Sequence, residues 1–337
     1  MMVDLHMKVK KHIKRTVLVL VLIALSLGAY RAVTFKQGTD LIQTEWSAYK
    51  PKLITDFGST KSLSILPLVN WHTRDDSLKS EPGVSYLIKT DNNTILFDVG
   101  YNQQNESPSP LEHNMKQLGV KLENIDTIFL SHAHLDHSGG QQWVGKNTFS
   151  IGREQINLSD KNIYAATHTT YPNSIVNVIP DATVIAPGVA SLGAISRQLL
   201  LGRIEEQALV IKVEGKGIVI VVGCGHQTVP KILTRANQVF GENIYGLVGD
   251  LHYPIPEGRL TLLGINLQRY LASGKGPHSP ITYESMNEEL KLLKSAGVKL
   301  IALGGHDTSD DVIEHFSSNF GDGYRNIRVG DWIQVAD

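Results

Sequence analysis

The chain has 337 residues and a mass of 37.1 kDa, enough for one large domain or two small ones. Hydrophobic residues at 42% and charged residues at 19% make a globular balance, which argues against disorder and coiled coil. The net charge of −1 hides an asymmetry: the first 31 residues carry Lys8, Lys10, Lys11, Lys14, Arg15 and Arg31 against Asp4 alone, so the rest holds 26 basic and 32 acidic residues, the wrong sign for a nucleic-acid partner. A single cysteine, Cys224, excludes an intramolecular disulfide and a cysteine-rich zinc site.

In chain order, a basic cluster at 8–15 is followed by the uncharged run Thr16 to Tyr30, so residues 1–35 read as a signal peptide or an N-terminal membrane anchor. The run has signal-peptide length, and it reaches a spanning length if Arg31 snorkels and Ala32 to Phe35 extend it. Both versions place the body outside the cytoplasm, periplasmic or on the extracellular face, with the membrane as a partner if the segment is not cleaved. Residues 36–61 read as a polar linker with a short helix, and 62–337 as the folded domain. Strands are expected at 62–69, 84–89 and 94–98, the last two a hairpin about Asp91-Asn92-Asn93. A helix at 111–118 ends at Gly119, and 125–130 is a buried strand. Residues 208–213 and 217–222 form a second hairpin, and a helix at 230–240 leads to a strand at 244–248. Residues 253–280 read as a long loop; then come a helix at 283–296, a strand at 299–303, a helix at 310–320 and a strand at 327–335. Early hairpins and late β-α-β units predict an α/β fold with mixed sheets.

The chemistry concentrates at Ser131 to Gly140, SHAHLDHSGG, directly after an apolar strand. His132 and His134 are two apart and point the same way in extended backbone, so they can grip one cation. Asp136 and His137 can face a second. Imidazole and carboxylate donors favour zinc, with manganese or iron compatible. Three more apolar strands finish in glycine followed by histidine or aspartate: Gly223-Cys224-Gly225-His226, Gly249-Asp250-Leu251-His252 and Gly304-Gly305-His306-Asp307.

HAHLDH at 132–137 resembles the HxHxDH signature of the metallo-β-lactamase superfamily, and TILFDVG at 94–100, His226, Asp250 and His306 follow in that superfamily's order. EPGVSYLI at 81–88, GCGH at 223–226, LGAI at 192–195 and EEQAL at 205–209 resemble more narrowly its dihydropteroate-synthase-like, or dihydropterin ribofuranosylaminobenzene phosphate synthase-like, branch. The resemblance covers about residues 62–335 and implies a four-layer αβ/βα sandwich with two divalent metal ions between the sheets. By position it implies His132, His134 and His226 around one ion and Asp136, His137 and His306 around the other. Asp250 would bridge them, with His252 as the branch's alternative; Asp307 stands where the branch tends to have cysteine. Asp98 would orient a ligand histidine through its free nitrogen.

Two adjacent ions imply hydrolysis of an ester, phosphoester, lactone or amide in a small molecule by a bound hydroxide, with Asp136 aligning it. His252 and His278 are candidates to protonate a leaving group, and Cys224 reads as packing beside the ions. His72, His113, His168 and His315 read as structural, and Trp71 and Tyr101 as candidate pocket walls. A pterin-pathway transferase and a non-catalytic metal-binding sensor are the competing readings; export weighs against the first, and the complete set of core donors against the second.

Overall fold

The computed structural model describes residues 2–271, 276 and 279–337; His278 lies outside them. A 47-residue helix, α1 (Met2–Ala48), comes first. The strands β1 (Leu63–Val69), β2 (Ser85–Thr90), β3 (Thr94–Phe97), β4 (Thr127–Leu130), β5 (Asn162–Ala165) and β6 (Val176–Val178) follow, with α2 (Pro110–Gln117) before β4 and α3 (Gln141–Val144) after it. The chain then builds a second sheet from β7 (Thr183–Ala186) and β8 (Val189–Ser191). A side hairpin, β9 (Ile195–Leu199) and β10 (Gly202–Glu206), leads to β11 (Leu209–Val213), β12 (Gly217–Val221), α4 (Val229–Phe240) and β13 (Ile244–Gly249). After a small hairpin, β14 (Thr261–Leu262) and β15 (Ile265–Asn266), come α5 (Leu267–Leu271), α6 (Tyr283–Ser295), β16 (Leu300–Leu303), α7 (Asp310–Phe320), β17 (Tyr324–Asn326) and β18 (Ile333–Ala336).

Two mixed seven-stranded sheets result, in the orders β18-β1-β2-β3-β4-β5-β6 and β17-β16-β13-β12-β11-β8-β7. They face each other over a core of Leu63, Phe97, Phe129, Leu209, Val221 and Val248. Strand β12 explains why its sequence is apolar throughout: Val219 and Val221 enter that inter-sheet core, while Ile218 and Ile220 face the helices on the other side. Ile232 of α4, Leu290 of α6 and Phe316 of α7 cover the outer face of the second sheet, and Leu111 and Met115 of α2 cover the first. The layers are therefore helix, sheet, sheet, helix.

Three segments differ from the sequence reading. Residues 36–48 are not linker with a short helix but the unbroken end of α1. Phe35, Gly38, Ile42 and Trp46 recur at helical spacing on the face turned to the body, and Ile42 is 5% exposed. Arg203 pairs with Glu45 at 2.9 Å, and the Tyr49 ring, just past the helix, stacks on Arg235 at 3.7 Å. From Ile13 to Val33 the same helix exposes its apolar side chains, and by length and composition it can cross a membrane. The 253–280 loop carries β14, β15 and α5, and of the expected last strand 327–335 only β18 forms, since the chain turns at Gly330 (φ 93°) after β17 has ended at Asn326.

Candidate metal centre

The centre lies where the strands run out, at the C-terminal ends of β4, β12, β13 and β16. Among the described residues, three groups bring their donor atoms within 4.8 Å of one another: His132, His134 and His226; Asp136, His137, Cys224 and His306; and Cys224, His226, His252 and Asp307. His226 and Cys224 each belong to two of them, so the groups form one continuous nest. The His132 ring centre is 4.6 Å from that of His134 and 4.1 Å from that of His137, and those of His226 and His252 are 4.7 Å apart.

This nest suits divalent cations. His132, His226 and His306 are no more than 3% exposed, yet His132 Nε2 and both ring nitrogens of His226 make no hydrogen bond, a cost that a metal–nitrogen bond removes. Burial, reinforced by neighbouring imidazoles, holds the pKa of His132 and His226 well below the usual histidine value, so both rings are neutral and ready to ligate. Burial acts the same way on His306, but Asp307, Asp136 and Asp250 outweigh it and raise its pKa to about 10. Its Nε2 stands 3.1 Å from Asp136 Oδ2 and 3.5 Å from Asp307 Oδ2. Burial resists ionisation of Asp136, yet His137, His306 and His134 bring it down to about 2. The carboxylates thus make this a place for positive charge.

Residues 79–306 match the family model described as the metallo-beta-lactamase superfamily. The chain belongs to the metallo-β-lactamase superfamily. A curated relative from Methanocaldococcus jannaschii, 7,8-dihydropterin-6-methyl-4-(beta-D-ribofuranosyl)-aminobenzene-5'-phosphate synthase, is 23% identical over 327 residues, covering 84% of this chain and 100% of its own. The N-acyl homoserine lactonase AiiB of Agrobacterium fabrum is 24% identical over 108 residues, 26% of this chain and 39% of its own. Among solved structures, Tm1679, described as a metal-dependent hydrolase of the beta-lactamase superfamily, superposes with a TM-score of 0.56 at 19% identity, over 82% of this chain and 100% of its own, a likeness of fold.

In this member of the metallo-β-lactamase superfamily the donors are aimed by a layer of carboxylates and hydroxyls behind them. Asp98, strained at φ 53° and fully buried, accepts from the Ser131 backbone N–H at 2.7 Å and the Ser131 hydroxyl at 2.6 Å, and lies 2.7 Å from His137 Nδ1. That bond turns His137 Nε2 into the nest, 2.9 Å from Cys224 Sγ. Ser131 Oγ meets His132 Nδ1 at 2.8 Å and leaves Nε2 forward. Gly223 is obligatory here, because a Cβ would strike the Ser131 hydroxyl. Glu206, absent from the sequence reading except as part of a family stretch, accepts the backbone N–H groups of Cys224, Gly225 and His226 at 3.0, 3.0 and 2.6 Å. Burial pushes its pKa up to about 7, against the pull of those three donors.

The two alternatives at the third strand end separate clearly. Asp250, expected as the bridge, belongs to none of the three donor groups. Its Oδ2 accepts from Asn70 Nδ2 at 3.2 Å and its Oδ1 from the Asp307 backbone N–H at 3.2 Å, so it organises the 304–307 turn from behind. A Cβ at Gly304 would run into that carboxylate. His252 reaches the nest because its backbone turns into the left-handed region at φ 59°, and its Nδ1 lies 3.0 Å from Asp307 Oδ2. Asp307, noted in sequence only as a departure, and Cys224, read as packing, are both donors of the nest. Gln268, from the supposed loop, donates to Asp307 Oδ1 at 2.5 Å. Arg259 stacks on Trp71 at 4.8 Å and donates to the Gly305 and Thr308 carbonyls. Tyr101 is half-buried near Asp136; His72, His113 and His315 belong to none of the donor groups and hydrogen-bond Asp310, the Ser77 carbonyl and Asn287.

Proposed function

We propose that the protein is a metal-dependent hydrolase, and the observation that carries this is the continuous nest of donors, most of them buried, at the strand ends. His132, His134 and His226 would hold one divalent ion and Asp136, His137 and His306 a second, with zinc the favoured metal for this donor set. His252, Asp307 and Cys224 would complete the nest on the side of His226. When bound, such ions acidify water and polarise an ester, phosphoester, lactone or amide group. Asp136, ionised and half-buried, aligns the attacking water, while Asp98 and Ser131 fix His137 and His132 behind it. Hydrolysis adds the water oxygen to the electrophilic carbon or phosphorus, breaks the bond to the leaving group and passes a proton to that group. His252 serves as a donor of the nest in this reading, because the Asp250 oxygens already accept from Asn70 and the Asp307 backbone N–H; were it not a ligand, it would supply that final proton.

The N-terminal helix favours an exported protein held in the membrane by α1. A second reading, a pterin-pathway enzyme, is supported by the end-to-end match to the archaeal synthase. Zinc-loaded full-length protein should hydrolyse at least one water-soluble 4-nitrophenyl ester, phosphodiester or lactone. No turnover with any of them at full metal content, and turnover of a phosphorylated pterin precursor instead, would decide for the second reading.

A further inference from the structure

A cavity of about 710 Å³ opens from the nest, within the size range of small-molecule sites. Its inner end carries His226 and His252. Its walls include Leu251, Ile281 and, unexpectedly for a targeting segment, Phe35 and Ile42 of α1. Gly276 abuts the Phe35 ring so closely that a Cβ would stand 2.8 Å from its Cε1. Arg197 lines the cluster end and donates to the His226 carbonyl at 3.3 Å, which fixes a guanidinium beside the donors.

Helix α1 has two parts with different surroundings and no break between them. The exposed apolar stretch ends at Val33, and the docked stripe begins at Phe35. At 1.5 Å per residue, Arg31 to Phe35 is about 6 Å along the axis and Arg31 to Ile42 about 16 Å. If the apolar stretch lies in a bilayer, the cavity wall stands within a few helical turns of the lipid headgroups. One end of the cavity then offers a guanidinium and metal-binding chemistry, and its sides offer the aliphatic and aromatic surface of Phe35, Ile42, Leu251 and Ile281 beside a polar edge that includes Glu284, Glu288 and Glu289. A ligand that matches both is an amphiphile.

We propose that this cavity takes a membrane lipid: its hydrolysable head meets the donors at His226 and His252, its alkyl chain lies along Phe35, Ile42, Leu251 and Ile281, and α1 remains uncleaved as anchor and cavity wall. The proposal names the substrate class of the hydrolase reading and rests on it for the word substrate. The test reconstitutes the full-length zinc-loaded chain in phosphatidylcholine vesicles containing a long-chain carboxylic acid with a diazirine on its alkyl chain, and maps adducts by mass spectrometry after irradiation. Adducts are expected on 35–43 and 251–253 as well as on the bilayer stretch 17–27, which serves as internal reference. Ile42→Asp should cut the 251–253 adducts at least five-fold relative to that reference; Phe35→Asp, at a half-buried position, should do the same should the first variant fail to fold. Adducts confined to 10–31, or cavity adducts indifferent to both substitutions, would overturn the lipid site. The same preparation assayed on water-soluble 4-nitrophenyl substrates keeps the two readings apart: cavity labelling without turnover would strike the hydrolase reading and leave the lipid site standing.

Discussion

The first sheet delivers its donors from one turn, residues 131–140 after β4, whereas the second delivers them from three strand ends spread between Cys224 and Asp307. In the first arrangement the donors are local but one of their supports is not: Ser131 holds His132 beside it, while Asp98, remote in sequence after β3, holds both Ser131 and His137. The second exists only because β12, β13 and β16 lie parallel and in register, Val221 beside Val248 and Gly249 beside Leu303, so that three distant loops open at one edge. Side-chain carboxylates hold those loops: Glu206 gathers three backbone N–H groups and Asp250 gathers the Asp307 N–H with the Asn70 amide. Both arrangements rest on buried carboxylates behind the donors, Asp98 in the first and Glu206 and Asp250 in the second; the second needs in addition that three strands lie in register.

Several measurements would break or sharpen this contrast. Removal of metal by a chelator acts on both regions at once and should abolish turnover and lower the Tm, since ions that bind only the folded state stabilise it; unchanged activity after verified metal loss would end the metal-dependent reading. Within the local motif, Asp136→Asn keeps shape and removes the charge that aligns water, and kcat should fall on the order of a hundred-fold or more. In the distributed region Asp307→Asn and Asp250→Asn should diverge: the first should lower metal content by elemental analysis, and the second should keep it while shifting thermal stability. Equal metal loss in both would return Asp250 to a ligand role. Glu206→Ala leaves three buried N–H groups without their acceptor, each worth about 1–3 kcal/mol, so a large loss of stability by chemical denaturation is expected. Smallest of all, His315→Ala removes a 2.7 Å bond to Asn287 between α7 and α6; it should cost about 1 kcal/mol of stability and nothing in kcat.

The amino-acid sequence by itself determined a good part of this. The HAHLDH run, the apolar strands before each glycine, and the helix caps are local patterns, and the apolar run 125–130 already read as a buried strand. The basic-then-apolar terminus was equally legible. What the tertiary structure decided is which side chain at each strand end turns inward. Asp250 and His252 are two residues apart and chemically equivalent as candidates; only the left-handed turn at His252 and the hydrogen bonds that occupy Asp250 separate them. Glu206 was legible only inside the EEQAL stretch and Gln268 not at all, because their role is to satisfy donors and acceptors from segments remote in sequence. Residues 36–48 looked like a polar linker for the same reason: a stripe of Phe35, Gly38, Ile42 and Trp46 among polar neighbours is thin, and its worth depends on the surface of β9 and α4 that receives it. Periodicity is written in a chain, but the partner that buries a face or completes a site is supplied by the fold.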